Sequence, residues 1–183
     1  MPNRKPREQA RLILRLPSDE TQPVLWYFAS AEGHQQGSLA MGESDDQLVS
    51  LLARYPAWVL VPASELVFHR VTLPRRARRQ RLQVLPFMLE EQLATDVERL
   101  HFAILQQSGD VCDVAVVDKS LMHQWIARCE RLGVQVQAML PDVLALPLAA
   151  DGWSAVSLND QWLFRREKHA GMIVESSWLS EFL

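Results

Sequence analysis

Glycine and cysteine are scarce in this chain, and their scarcity excludes several classes of protein. The 183 residues include seven glycines and two cysteines. The glycines form none of the short motifs that bind nucleotide phosphates, and no serine occupies the nucleophile position of a hydrolase elbow. Cys112 and Cys129 lack metal-ligand or redox spacing, so we expect two reduced thiols, one in a strand and one in a helix.

Long apolar runs and a basic excess are missing as well. The longest apolar candidate, Met139 to Ala150, is interrupted by Asp142 and two prolines, and the N-terminus lacks the apolar core of a signal peptide. The net charge of −3 argues against the broad basic face that nucleic-acid binding needs. The five histidines are dispersed without ligand spacing. We therefore expect a soluble cytosolic chain with no metal, no cofactor and no nucleic-acid partner.

An arginine cluster that leads into an apolar segment is the most distinctive feature present. Five arginines fall within the seven positions after Pro74, and leucines then recur at helical spacing from Leu82 to Leu93. This pattern predicts a helix with one buried stripe. Pro86 lies inside the pattern and removes a backbone donor, which predicts either a kink or a second short helix that begins there.

The charges of this segment oppose the dipole of the predicted helix. Cations at a helix N-terminus are disfavoured by about 0.3–1 kcal/mol each, and the glutamates come late, at the negative end. Two explanations remain open: a partner of complementary charge, or ion pairs within the domain that offset the cost. The candidate partner-binding residues are Arg75, Arg76, Arg78, Arg79, Arg81, Glu90, Glu91, Asp96 and Glu98.

The order of predicted elements indicates a mixed α/β fold. Strands are expected at Arg11–Leu16, Val24–Phe28, Gly37–Met41, Trp58–Val61, Leu66–Val71, His101–Leu105, Val111–Val117, Val134–Met139, Ser154–Leu158, Trp162–Arg166 and Met172–Val174. Helices are expected after a cap at Ser44, in the arginine-rich segment, at Lys119–Leu132 and from Trp178. The all-apolar strand at Trp58 predicts a sheet covered on both faces. Core positions are assigned to Trp26, Trp58, Trp125 and Trp153.

Three strands followed by a helix occur near the start of the chain and again from Trp153, which predicts a weak internal duplication. The second copy stops where a fourth strand is expected, so the chain reads as a piece of a longer protein. An unfinished sheet would also permit strand exchange in a homodimer.

One stretch resembles the L component of the bacterial type II secretion system. The similarity rests on Leu60-Val-Pro62, on Leu73-Pro74, and on Leu85-Pro-Phe-Met-Leu-Glu-Glu-Gln-Leu93 with Asp96, Glu98 and Leu100-His-Phe102. The resemblance implies an actin-like cytoplasmic region built from duplicated RNase H-like units with an inserted α+β subdomain. The implied division is a disordered basic tail at 1–10, a first subdomain at 11–64 and 119–149, an insertion at 65–118, and a truncated second subdomain at 150–183.

That resemblance also implies a function. Members of the family are membrane-anchored scaffolds that recruit the secretion ATPase, the E component, through its N-terminal domain, and they join the M component in the inner-membrane platform. We therefore expect a non-enzymatic scaffold at the cytoplasmic face of the inner membrane, with contact between the arginines and anionic lipid as a related hypothesis.

The alternative is an actin-like ATPase or sugar-kinase-type domain. Such enzymes need glycine-rich hairpins for close approach to phosphate, whereas the loops Pro17–Pro23 and Leu158–Gln161 contain no glycine. Asp19 and Asp160 are therefore interpreted as turn residues rather than metal ligands.

Overall fold

The computed structural model describes residues 10–74 and 80–179. Within this range the chain is a mixed α/β protein, as the sequence predicts. It divides into two compact units, Met1–Pro62 with Trp125–Asp142, and Ala63–Gln124 with Val143–Leu183. The first contains a five-stranded sheet and the second contains two three-stranded sheets.

The first unit is built on one mixed sheet. Its strands are β1 (Arg11–Arg15), β2 (Val24–Ser30), β3 (Gly33–Leu39), β4 (Ala57–Val61) and β8 (Val136–Pro141). Their spatial order is β3-β2-β1-β4-β8; β1 pairs antiparallel with β2 and parallel with β4, which pairs parallel with β8. Consequently β1, β4 and β8 end at the same edge of the sheet.

One face of this sheet is buried and the other is partly exposed. Leu12 and Leu14 of β1 are fully buried, while Ile13 between them is half-buried. Trp58 is 39% exposed and its indole N–H donates to Gln137 Oε1 at 3.0 Å. The predictions that Trp58 is a core residue and that both faces are covered are therefore wrong, because strand alternation points the indole away from the buried face. Trp26 is buried, as predicted.

Two helices belong to the connections of this sheet. Helix α1 spans Asp46–Leu52 and α3 spans Lys119–Arg131. The predicted cap at Ser44 is wrong: Asp45 is the N-cap, and its carboxylate accepts the backbone N–H groups of Gln47 and Leu48. Asp45 Oδ2 also accepts the indole N–H of Trp26 at 2.9 Å. The side chain that can satisfy both the helix and a buried indole takes the cap position.

Helix α3 ends as predicted, with Gly133 in the left-handed region at φ 69°. The backbone N–H of Val134 donates to the carbonyl of Cys129 at 2.9 Å, which satisfies an orphan acceptor of the last turn. Trp125 and Cys129 are the buried residues of this helix.

The second unit begins with an antiparallel sheet and one helix. The strands are β5 (Val67–Thr72), β6 (Leu100–Ser108) and β7 (Val111–Asp118), in the order β5-β7-β6, and helix α2 covers Arg81–Leu89. A turn at Gly109, with φ 61°, joins β6 to β7. The core cluster of this part comprises Val71, Leu73, Leu85, Leu89, Leu100, Cys112, Val114 and Val116.

Helix α2 continues through Pro86, so the alternative of two short helices is wrong. Proline removes the donor that would bind the carbonyl four residues earlier, at Leu82. Leu82 itself is 58% exposed. The remainder of the helix is held by Leu85 and Leu89, which are fully buried in the core cluster.

A third sheet completes the second unit. Strands β9 (Ser154–Leu158), β10 (Gln161–Arg165) and β11 (Gly171–Glu175) form an antiparallel meander, in which Asn159 adopts the left-handed conformation of the β9–β10 turn. Leu163 of β10 packs in a cluster with Ala63, Val143 and Leu146. Trp153 is 48% exposed and stands edge-on to Phe164, so its predicted core position is wrong. Of the helix predicted from Trp178, residues 180–183 lie outside the described residues.

Candidate interaction surface

Helix α2 and the two turns that follow it carry the described candidate residues. The helix is fixed on the sheet by Leu85 and Leu89, with Met88 and Leu93 packed at the border of the same cluster. Its other side faces solvent, where Phe87 is 76% exposed. The segment therefore presents a rigidly seated helix whose outer face is available for contact.

The basic end of the segment is only partly described. Arg75, Arg76, Arg78 and Arg79 lie outside the described residues. Arg81 is the first residue of α2 and is exposed, and its guanidinium donates to Gln107 Oε1 on β6. The first turn contains no acidic residue, and Gln80 makes no side-chain cap hydrogen bond. The helix thus begins with a cation at its positive end, as the sequence predicts.

The acidic residues fall into two pairs with different surroundings. Glu90 and Glu91 lie in a short 3-10 helix at the C-terminal end of α2, and both are exposed. Asp96 caps the next 3-10 turn, where its carboxylate accepts the backbone N–H of Glu98 at 3.0 Å. The carbonyl of Glu98 accepts Lys119 Nζ at 2.6 Å, while its side chain is exposed. Among the described residues, Asp96 therefore has a capping role that the carboxylates of Glu90, Glu91 and Glu98 lack.

Ion pairs in this unit form elsewhere. Arg70 pairs with Asp113 at 2.7 Å and approaches Glu167 at 3.6 Å, and Arg99 lies 3.8 Å from Asp118. Across residues 10–74 and 80–179, neither Glu90 nor Glu91 makes an ion pair. Internal pairing of these two glutamates thus finds no support in the described part of the chain.

Phe87 is a candidate that the sequence reasoning missed, although a signal for it was present. At about 100° per residue, Phe87 lies roughly opposite Leu85 on a helix. Once the leucines are assigned to the buried stripe, the phenylalanine must point outward. Grouping Phe87 with the apolar residues of the segment concealed this.

In the two loops expected to be unable to hold phosphate, Asp19 makes a turn contact through its side chain and Asp160 through its backbone. The Asp19 carboxylate accepts the backbone N–H of Thr21 at 2.8 Å, and this hydrogen bond lowers the pKa of Asp19. The Asp160 carbonyl accepts the backbone N–H of Ser176 at 2.7 Å. In the part of the chain that the structure describes, no three histidine, cysteine or acidic side chains are arranged to hold a metal ion.

Known proteins resemble this chain along nearly its whole length. A profile of the family described as type II secretion system, protein L matches residues 12–183. The protein L of Klebsiella pneumoniae is 48% identical over 183 residues, which is 100% of this chain and 46% of that protein. The protein L of Pectobacterium carotovorum is 47% identical over 176 residues, which is 94% of this chain and 41% of that protein. The chain thus spans less than half the length of these curated relatives.

A solved structure is similar as well. It is the cytoplasmic domain of EpsL, an inner membrane component of the type II secretion system of Vibrio cholerae. The TM-score is 0.79 at 32% identity, and the match covers 95% of this chain and 74% of that one. None of the helices within residues 10–74 and 80–179 has both the length and the apolar character needed to cross a membrane.

Proposed function

Because this chain belongs to the type II secretion system protein L family, we propose that it is part of a non-enzymatic scaffold in the inner-membrane platform of that system. Its site of action is the cytoplasmic face of the inner membrane, and its role is to hold the secretion ATPase there. The observation that carries the proposal is the match of 95% of this chain to the cytoplasmic domain of EpsL at 32% identity.

The proposed partner is the N-terminal domain of the ATPase, the E component of the system. Support comes from the charged segment around α2, where Glu90, Glu91 and Glu98 present exposed carboxylates. Charges of this kind steer association and set its register more than they add affinity. Contacts with the M component and other platform proteins belong to the full-length protein.

The fold proposal is an actin-like region with duplicated RNase H-like units and an inserted α+β subdomain. Strands β1–β2–β3 and β9–β10–β11 are both antiparallel meanders in which each strand pairs with the next, which supports a common plan for the two parts. The proposed boundaries remain 11–64 with 119–149 for the first subdomain, 65–118 for the insertion, and 150–183 for the beginning of the second.

An active actin-like ATPase is the competing candidate, and the loop sequences argue against it. Neither the β1–β2 loop nor the β9–β10 loop contains a glycine that would let backbone amides approach a phosphate. Saturable binding of ATP by the purified chain would revive this candidate and contradict the non-enzymatic scaffold.

Contact with anionic lipid and self-association are two further proposals. Each basic residue near an anionic bilayer contributes on the order of 1 kcal/mol of binding free energy. If the arginines at 75–81 contact lipid, the chain should sediment with anionic vesicles more than with neutral ones. Equal sedimentation with both would contradict lipid contact.

Self-association is a separate proposal. A homodimer would appear as a concentration-dependent mass in analytical ultracentrifugation.

The scaffold proposal is tested by titration calorimetry with the N-terminal domain of the cognate ATPase at low and at high salt. We expect saturable binding that weakens with salt, because charge pairs at an exposed interface are screened. Reversal of Arg75, Arg78 and Arg79 to glutamate maps the contribution of the arginine cluster. If the unmutated chain binds neither at low salt nor at high salt, the proposed recruitment role is contradicted.

A further inference from the structure

The β10–β11 loop, residues 166–170, is tied to the β5–β7–β6 sheet of the same unit by charged groups. Glu167 Oε2 in this loop lies 3.6 Å from Arg70 Nη2 of β5, and Arg70 Nε lies 2.7 Å from Asp113 Oδ1 of β7. The side chains of Arg70 and Glu167 are both 59% exposed. An ion pair in contact with water contributes little by itself, so a small change in charge nearby is enough to release this contact.

Arg165, the last residue of β10, fixes the shape of the loop through backbone carbonyls. Its Nε donates to the carbonyl of Glu167 at 3.2 Å and its Nη2 to the carbonyl of Lys168 at 2.7 Å. Its Nη1 donates to the carbonyl of Leu144 at 2.7 Å and to that of Leu146. These hydrogen bonds hold a permanent positive charge next to the loop.

His169 lies in this loop with an unsatisfied ring nitrogen. The residue is half-buried, but its Nε2 atom is buried and has no hydrogen-bond partner within residues 10–74 and 80–179. A neutral imidazole with its proton on Nδ1 leaves only an acceptor unpaired at that place. An imidazolium would instead bury an unpaired N–H donor that carries charge, which is far more costly. The closed loop therefore requires the neutral form of the ring.

The charges around the ring also favour its neutral form. They belong to Asp113 of β7, Arg70 of β5, Arg165 of β10, and Glu167 and Lys168 of the loop itself. Burial lowers the pKa of His169, the Asp113 carboxylate raises it, and the three cations lower it. Asp113 already accepts a hydrogen bond from Arg70, so much of its attraction for a charged ring is neutralised.

We propose that the β10–β11 loop is a pH-sensitive latch, closed on the β5–β7–β6 sheet while His169 is neutral and released when the ring is protonated. Since the pKa of His169 in the closed loop lies below the ordinary 6.5, closure is fully favoured above that pH and is lost progressively as the pH falls through the lowered value. The apolar cluster around Leu163, with Phe68 of β5 packed against it, contains no ionisable group. The third sheet should therefore stay in place while the loop opens.

The test is nuclear magnetic resonance relaxation of backbone amides in the complete chain, from about pH 7.5 down to about pH 5, a range in which carboxylates stay mostly ionised. Four chains are compared: unmutated, His169→Gln, Arg70→Gln and His34→Gln. His34 is exposed on β3 of the first unit and is the matched control for loss of a histidine.

We expect the order parameters of residues 167–170 to fall from about 0.85 to below about 0.6 on acidification of the unmutated and His34→Gln chains. The His169→Gln loop should stay rigid throughout, because glutamine does not titrate. Arg70→Gln should raise the pKa of His169, read from its ring proton shifts, because the substitution removes a cation and frees the Asp113 carboxylate.

Several results would overturn the latch. One is a loop that stays rigid in the unmutated chain although the His169 ring becomes protonated. Another is a loop that is equally mobile at both ends of the pH range, or one that loosens at the same pH in His169→Gln as in the unmutated chain. An unchanged His169 pKa in Arg70→Gln would remove the electrostatic basis of the proposal. This last variant retains the histidine, so it decides the matter even if His169→Gln fails to fold.

Discussion

The ion pair between Arg15 and Asp142 offers a quantitative test of how the first unit is held together. Arg15 ends β1, and Asp142 directly follows β8, so the pair spans the edge at which these strands end. Arg15 Nε and Nη2 lie 3.0 Å and 2.9 Å from Asp142 Oδ2. The side chains are 13% and 1% exposed, which places the carboxylate in the interior.

The size of the effect follows from this burial. Removal of one partner of a buried pair costs about 3–5 kcal/mol, whereas replacement of both by apolar groups is far less destabilising. We expect Arg15→Met and Asp142→Leu each to lower the free energy of unfolding by about 3–5 kcal/mol. The double variant should lose about 3 kcal/mol or less, so the coupling energy should be about 3 kcal/mol or more, at or above the upper end of the usual 0.5–3 kcal/mol range.

The assay is urea unfolding of the unmutated chain, the two single variants and the double variant, monitored by tryptophan fluorescence. Trp26 and Trp125 are both buried in the first unit, so the transition that exposes their indoles reports on the unit containing the pair. Strictly additive losses, with a coupling below about 0.5 kcal/mol, would refute the reasoning, because they would mean that each group is satisfied independently of the other.

Three further predictions concern single side chains. Gly37→Ala should destabilise the chain by about 1–3 kcal/mol in urea titrations, because a Cβ there would lie 2.7 Å from the buried ring of Trp26; an unchanged midpoint would contradict the close contact. Asp118 accepts the N–H and hydroxyl of Ser120, which lowers its pKa below the usual 3.8 and favours the charged form in the folded state. The stability difference between the unmutated chain and Asp118→Ala should therefore be fully present above about pH 5 and shrink as the pH falls through the lowered folded-state pKa; a difference independent of pH would contradict this. Burial raises the pKa of the Cys112 and Cys129 thiols, so iodoacetamide should modify them slowly in the folded chain and rapidly in urea, and equal rates by mass spectrometry would be the opposing result.

Local turn chemistry explains why most strand positions could be predicted from the sequence. Gly109 and Asn159 adopt positive φ values in the β6–β7 and β9–β10 turns, and residues that tolerate this conformation are visible in the sequence as turn signals. The strand Ser154–Leu158 has the predicted bounds, and Gly133 ends α3 as predicted. These features depend on neighbours within a few residues, which a sequence displays directly.

Errors arose where a distant group decided the outcome. Trp58 and Trp153 were assigned to the core by residue type, yet Trp58 is 39% exposed and Trp153 is 48% exposed. Asp45 replaces Ser44 as a helix cap because the indole of Trp26 needs the same carboxylate. The candidate surface differs in this respect: the charges at Glu90 and Glu91 are visible in the sequence, and the outward direction of Phe87 follows from its helical spacing to Leu85, a signal that was overlooked.

The pairing of β4 with β8 has a consequence for synthesis on the ribosome. Trp58 lies opposite Ala138 in this parallel ladder, so the first unit lacks its final strand until the intervening chain has been made. The β5–β7–β6 sheet is contained within Val67–Asp118 and can pair completely before β8 leaves the exit tunnel. Nascent β4 therefore has an unpaired edge while the β5–β7–β6 sheet folds, so chaperone protection would matter most during that interval.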